Sequence, residues 1–224
     1  MTGKGVTIDI GNTPVKHGVQ KEHDNKYYYD DEHRERAEMT LVEHPSEAPG
    51  YKKLEHKPKG NNAKILRIDN VGGTRTEFNN DLDDCKIVIV YYWSGDGDYT
   101  DPLVVQLSGE QDKYYTDTGS KWTNADIKSD DLLKTLDEQN CLRMAHIIDI
   151  SQNPSSSTTT YYCPACHKQE AISISSLDKD NYKRVSHSPD ESKSFGEKYR
   201  LLDISYFRDI FSKIHHLRLF NYDE

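Results

Sequence analysis

The sequence predicts an α+β protein that is mostly β: an antiparallel, sandwich-like sheet unit with one helix, followed by a shortened second copy with its own amphipathic helix. Three observations lead there. Apolar residues fall in β-branched blocks of strand length, at residues 6–10, 65–68, 87–92, 103–107, 147–150 and 172–174, with Gly-, Pro- and Asn-rich turns around them. A helical start signal and an apolar face coincide once in the first part of the chain, over residues 129–140. A series of blocks from the first part also recurs, in order, after residue 145. The expected division is a unit at residues 1–142 and the shortened copy at 143–224.

Residues 6–10 form the first expected strand, ended by the turn cluster Gly11-Asn12-Thr13-Pro14. A polar stretch then runs to Lys26. Tyr27-Tyr28-Tyr29 and residues 39–42 read as two strands joined by a charged connection, with helix an alternative over residues 33–39 because Arg, Glu and Ala favour it. Pro45, Pro49, Gly50, Pro58 and Gly60 argue against long regular structure between 44 and 62. Residues 63–69 follow as a strand stopped by Gly72-Gly73, and residues 86–93, the most apolar block, are expected to be a central strand. Residues 102–108 and 113–116 complete a meander, with Pro102 at a strand start. In the helix, Ser129 is the expected cap, Asp130 and Asp131 suit the first turn, Leu132, Leu133 and Leu136 share a face, and Asn140 stands at the end.

The second copy begins where His146-Ile147-Ile148-Asp149-Ile150 and Pro154 repeat the order of residues 7–14. Tyr161-Tyr162 then answers to Tyr28-Tyr29, and Ile172-Ser173-Ile174 to Met39-Thr40-Leu41. Residues 181–189 repeat residues 50–58 with Tyr, two basic residues, an aliphatic residue, His and Pro at the same spacing. Residues 198–204 and 217–222 answer to 63–68 and 87–92, and nothing corresponds to 95–140. Phe207, Ile210, Phe211 and Ile214 make an apolar helical face over residues 206–215, which would cover the open edge of an unfinished sheet.

Leu, Ile, Val and Phe make 45 of 224 residues, close to the roughly 20% below which chains tend toward disorder. Their clustering and the 15 tyrosines favour a small core with long polar loops. A net charge of −9 argues against a nucleic-acid partner, whose binding needs Lys and Arg to displace counterions. No apolar run reaches the roughly 18–20 residues of a membrane span. The first ten residues lack the apolar core of a secretory signal, so the expected location is the cytosol or export by another route. Four cysteines are too few for a disulfide scaffold.

Cys163-Pro164-Ala165-Cys166-His167 is the sharpest motif. It matches the c-type haem attachment pattern, but a polar, tyrosine-rich hairpin supplies no haem pocket. It also reads as half of a tetrahedral zinc site with Cys163, Cys166 and His167 as candidate ligands, to be completed by Cys85, Cys141 and some of the ten histidines. A redox pair, a local disulfide and two free thiols are the remaining readings. The first copy has Asp30-Asp31-Glu32-His33 at the corresponding place, so the unit's fold does not require these cysteines. Asp96, Asp98 and Asp101 share a loop that lacks EF-hand spacing and reads as a solvated turn. His56 and His187, each in Tyr-x-x-x-x-His-x-Pro, have no nucleophile or carboxylate nominated beside them and are read as structural.

The Tyr-Lys-x-Leu-x-His-x-Pro and Lys-Ile-x-x-Ile blocks, the strand Ile87-Val88-Ile89-Val90-Tyr91-Tyr92-Trp93 and the helix Asp131-Leu132-Leu133-Lys134-Thr135-Leu136 resemble the expanded families of repeat proteins encoded by piroplasm parasites such as Theileria equi. That resemblance covers nearly the whole chain and transfers no activity, cofactor or site residue. It implies a lineage-specific protein used at the interface with the host cell. The expected function is a non-enzymatic protein-interaction module, its partners proteins of the host among them, with no resident cofactor. The alternative is a zinc-binding protein using Cys163 and Cys166.

Overall fold

The computed structural model describes residues 5–60, 63–70, 74–75, 81–117, 121–143, 145–149, 152, 160–166, 171–179, 182–189 and 198–201. The chain divides into two compact units, Met1–Arg143 and Met144–Glu224. Among the described residues it is mostly strand with a single α-helix, the α+β, mainly antiparallel class that the sequence predicts.

In the first unit the strands are β1 (Gly5–Asp9), β2 (Gln20–His23), β3 (Lys26–Asp30), β4 (Arg36–Val42), β5 (Tyr51–Pro58), β6 (Lys64–Asn70), β7 (Thr74–Arg75), β8 (Ile87–Trp93), β9 (Val104–Ser108), β10 (Lys113–Asp117) and β11 (Trp122–Ala125). A 3-10 turn, Ser129–Asp131, leads into α1 (Leu132–Leu142). Eight strands form one antiparallel sheet in the order β11-β10-β9-β8-β5-β4-β3-β2. Strand β8 lies inside it and is covered on both faces, which is why its sequence is continuously apolar rather than alternating. Val88, Val90 and Tyr92 join Met39, Leu54 and Val105 on one face, against Val6, Ile8 and Ile68 of β1 and β6. Ile89 and Tyr91 join Tyr51, Val104 and Tyr114 on the other, against Leu132 and Leu136 of α1. Each such side chain, once buried, contributes about 1.5–3 kcal/mol. Tyr51 Oη donates to Asp137 Oδ1 at 2.6 Å and fastens α1 to the sheet.

Several local expectations are overturned. Residues 44–62 hold β5, eight residues long, because Pro49-Gly50 and Pro58 bracket the strand instead of interrupting it. Residues 33–39 are not helical: β4 starts at Arg36, since Ala37, Met39 and Leu41 alternate into the core. The polar stretch before Lys26 contains β2, and β11 extends the meander beyond residue 116. Ser129 does not cap α1; it opens the 3-10 turn, and the helix begins after Asp131 and runs past Asn140 to Leu142. Strands β1 and β6 pair in parallel, Gly5 opposite Lys64 and Asp9 opposite Asp69, with the meander from β2 to β5 as the crossover. A parallel pair needs such a long connection, and no short-range pattern announces it.

Gly109, in the β9–β10 turn, gives a local test of this packing. A Cβ there would lie 2.4 Å from the backbone oxygen of Asp84. Gly109→Ala is expected to destabilise the first unit by about 1–3 kcal/mol, seen as a lower midpoint in denaturant unfolding followed by tryptophan emission. An unchanged midpoint would show that the turn moves away at no cost.

The second unit contains β12 (Ala145–Ile148), β13 (Thr160–Tyr162), β14 (Ala171–Lys179), β15 (Tyr182–Pro189) and β16 (Lys198–Leu201). Strands β13, β14 and β15 form an antiparallel sheet, and β12 pairs in parallel with β16. The pairings repeat those of β3, β4 and β5 and of β1 with β6. Ile172 stands opposite Pro189 and Ile174 opposite His187, as Ala37 stands opposite Pro58 and Met39 opposite His56. Tyr161 faces Ile172 as Tyr29 faces Ala37. This register corrects two sequence matches: Ile174, not Ile172, takes the place of Met39, and Tyr161, not Tyr162, that of Tyr29. A strand repeats every two residues, so the two-residue shift of the isoleucines leaves the sequence pattern intact, and the run Tyr27-Tyr28-Tyr29 hides the one-residue shift of the tyrosines; only pairing decides. The expected helix at 206–215 and strand at 217–222 lie outside the described residues.

Candidate metal centre

Strand β12 starts the second unit, and its second residue, His146, is buried. Cys141, also buried, sits in the last turn of α1, five residues earlier in the chain. Strand β13 delivers Cys163 at its end, where Pro164 and Ala165 make a turn to Cys166. Proline suits that turn because its φ is already set and it has no N–H to satisfy. Cys163 is 2% exposed and Cys166 is half-buried at the rim.

The ligand atoms of Cys141, His146, Cys163 and Cys166 all lie within 4.8 Å of one another. Cys166 Sγ is 3.5 Å from His146 Nδ1. Bonds of about 2.3 Å to sulfur and about 2.0 Å to nitrogen, meeting at the tetrahedral angle, place a sulfur and a nitrogen ligand about 3.5 Å apart and two sulfurs about 3.8 Å apart. The Cys166–His146 pair therefore has the spacing of a Cys3His shell, and the 4.8 Å bound on the whole group exceeds the ideal by about 1 Å. The Ile147 N–H donates to Cys163 Sγ at 3.3 Å, a bond that supports negative charge on that sulfur. No disulfide joins any of the four cysteines.

Cys163 and Cys166 are thus together with Cys141, which the sequence also named as a completing ligand, and His167 lies outside the described residues. The sequence reading saw only one Cys-x-x-Cys half. The other half is Cys141-x-x-x-x-His146, a pair obscured because it straddles the end of a helix and the start of a strand. Cys85 belongs elsewhere: its thiol donates to the Ile87 carbonyl at 3.5 Å, and burial pushes its pKa up to about 11.

The other candidates hold the fold. His56 is fully buried, with Nδ1 3.1 Å from Tyr29 Oη, and desolvation lowers its pKa to about 3. His187 repeats the arrangement, with Nδ1 3.2 Å from Tyr161 Oη and ring centroids 5.8 Å apart against 5.9 Å for Tyr29 and His56. In the Asp-rich loop, the Asp96 carboxylate accepts the N–H groups of Thr100 and Asp101 at 3.2 and 3.0 Å, which stabilises the turn around Tyr99, at φ 55°. Among the described residues no helix is long and apolar enough to cross a membrane. No protein-family model, curated protein or solved structure matches this chain.

Proposed function

We propose that the chain is a zinc-binding protein in which Cys141, His146, Cys163 and Cys166 hold one structural zinc ion. The single observation that carries this reading is the convergence of four ligand atoms within 4.8 Å. A thiol–imidazole hydrogen bond would account for the 3.5 Å separation of Cys166 and His146, but not for two further thiols at the same point. Three soft thiolates and one imidazole favour zinc over harder, oxygen-seeking cations. Four protein ligands fill a tetrahedron and leave no position for a reacting water, so the metal holds structure and performs no hydrolysis. Within this reading the whole chain serves as a non-enzymatic module for protein partners, with the metal maintaining a folded surface.

Elemental analysis of protein purified without chelator tests it. About one zinc per chain is expected, with cobalt substitution producing the absorption of a tetrahedral thiolate site. Cys166→Ser should bind zinc more weakly. Less than about a tenth of an equivalent of any transition metal in the unaltered protein, after incubation with excess zinc, would overturn the proposal.

A further inference from the structure

Strand by strand, the register places Tyr161 where Tyr29 stands, and two residues further along Cys163 takes the place of Asp31. Gly5 and Ala145 occupy the same position against Lys64 and Lys198, which makes Ile147 the counterpart of Thr7. In the first unit the Thr7 N–H donates to Asp31 Oδ2 at 2.9 Å. In the second the Ile147 N–H donates to Cys163 Sγ at 3.3 Å. The same backbone donor, on the same strand, thus meets the first side chain of the same loop in both units.

We infer that the metal centre takes over in the second unit the work of the Asp31 carboxylate in the first, as the anionic anchor that ties the leading strand to the loop after β3 in one unit and after β13 in the other. The inference rests on the zinc reading of the site. Asp31 organises its loop from one side chain: Oδ1 also accepts the N–H groups of His33 and Glu35 at 2.8 and 2.9 Å. A thiol cannot gather three donors in this way, because sulfur is a weak acceptor. Three thiolates and a neutral imidazole around a divalent ion carry a single net negative charge, the same as one carboxylate. The metal therefore restores both the charge and the cross-link, and Cys166 closes the loop through the ion where Asp31 closes its own through hydrogen bonds.

The test compares the full chain with Cys163→Asp and Cys163→Ala, each in zinc-free and zinc-containing buffer, reading Ile147 amide exchange and zinc content. Without zinc, the Ile147 amide of Cys163→Asp is expected to exchange at least about tenfold more slowly than that of Cys163→Ala. Equal exchange in the two variants, or loss of all protection in β14 and β15 of Cys163→Asp, would overturn the inference. Asp31→Ala supplies a second arm: the Thr7 amide should lose about tenfold in protection with zinc content unchanged, and undiminished protection would also overturn it. Absence of zinc from the unaltered protein would instead sink the zinc reading, and the zinc-free comparison of the Asp and Ala variants would still stand.

Discussion

On the zinc proposal, chelation is expected to destabilise the second unit, Met144–Glu224, while the tryptophan emission of the first stays unchanged. The protein has two tryptophans, Trp93 in β8 and Trp122 in β11, so that emission reports on the first unit alone. The asymmetry follows from the cores. In the first unit β8 is buried on both faces between two apolar clusters. In the second, the buried apolar side chains among the described residues are Ile147, Ile172 and Ile174, with the buried Cys163. Small units commonly rely on a cross-link or a metal for stability. Structural zinc binding at neutral pH is worth about 10–16 kcal/mol in small metal-dependent folds, comparable to the roughly 5–15 kcal/mol stability of a whole domain. Removal should therefore lower amide protection throughout β12, β13, β14 and β15. Hydrogen exchange measured before and after chelation checks this; protection retained in a sample shown to be metal-free would refute it. Acid should act in the same direction, because thiolates that take up protons release the ion.

The second large effect is an acid sensitivity of the first unit centred on His56. Its ring is sealed in the sheet, 0% exposed, and desolvation alone lowers its pKa from 6.5 to about 3. The folded protein thus keeps His56 neutral where the unfolded chain would protonate it. Above about pH 6.5 both states hold the neutral ring, and the residue's full contribution is present. As pH falls from about 6.5 to about 3 the unfolded state alone gains a proton, and stability falls by up to about 1.4 kcal/mol per pH unit. Below about 3 both states are protonated and the loss stops. Denaturant unfolding followed by tryptophan emission at a series of pH values should show this slope. His56→Gln removes the titrating group, and its stability should fall less steeply over the same window, although it is less stable at neutral pH through lost packing against Tyr29. Parallel lines for the two proteins between pH 6 and about 4 would assign the acid sensitivity to other groups.

How much was legible depended on the range of the interaction behind each feature. Strand β8 could be read because burial on both faces leaves seven consecutive apolar or aromatic residues, and α1 because Leu132 and Leu136 repeat at helical spacing. Strand β5 was missed: its core residues alternate with Lys53, Glu55 and Lys57, and prolines stand at its margins. It also buries Lys52, whose ammonium reaches the Asp96 carbonyl and lies 3.9 Å from the centre of the Tyr99 ring. A buried lysine with a polar partner and an aromatic face looks, in sequence, like a solvated one.

By itself, then, the sequence determined the mostly β class, the central strand, the helix and the Cys163-x-x-Cys166 turn, because alternation, helical spacing and turn chemistry are local. Only the tertiary structure decided which strands pair in parallel, the register of β14 against β15, and which candidate ligands stand beside the cysteine pair. His146 joins Cys163 and Cys166 because β12 runs beside the turn that follows β13, an adjacency held by the bond from Ile147 to Cys163. That adjacency joins residues sixteen or more positions apart, and no pattern within a single strand or turn encodes it.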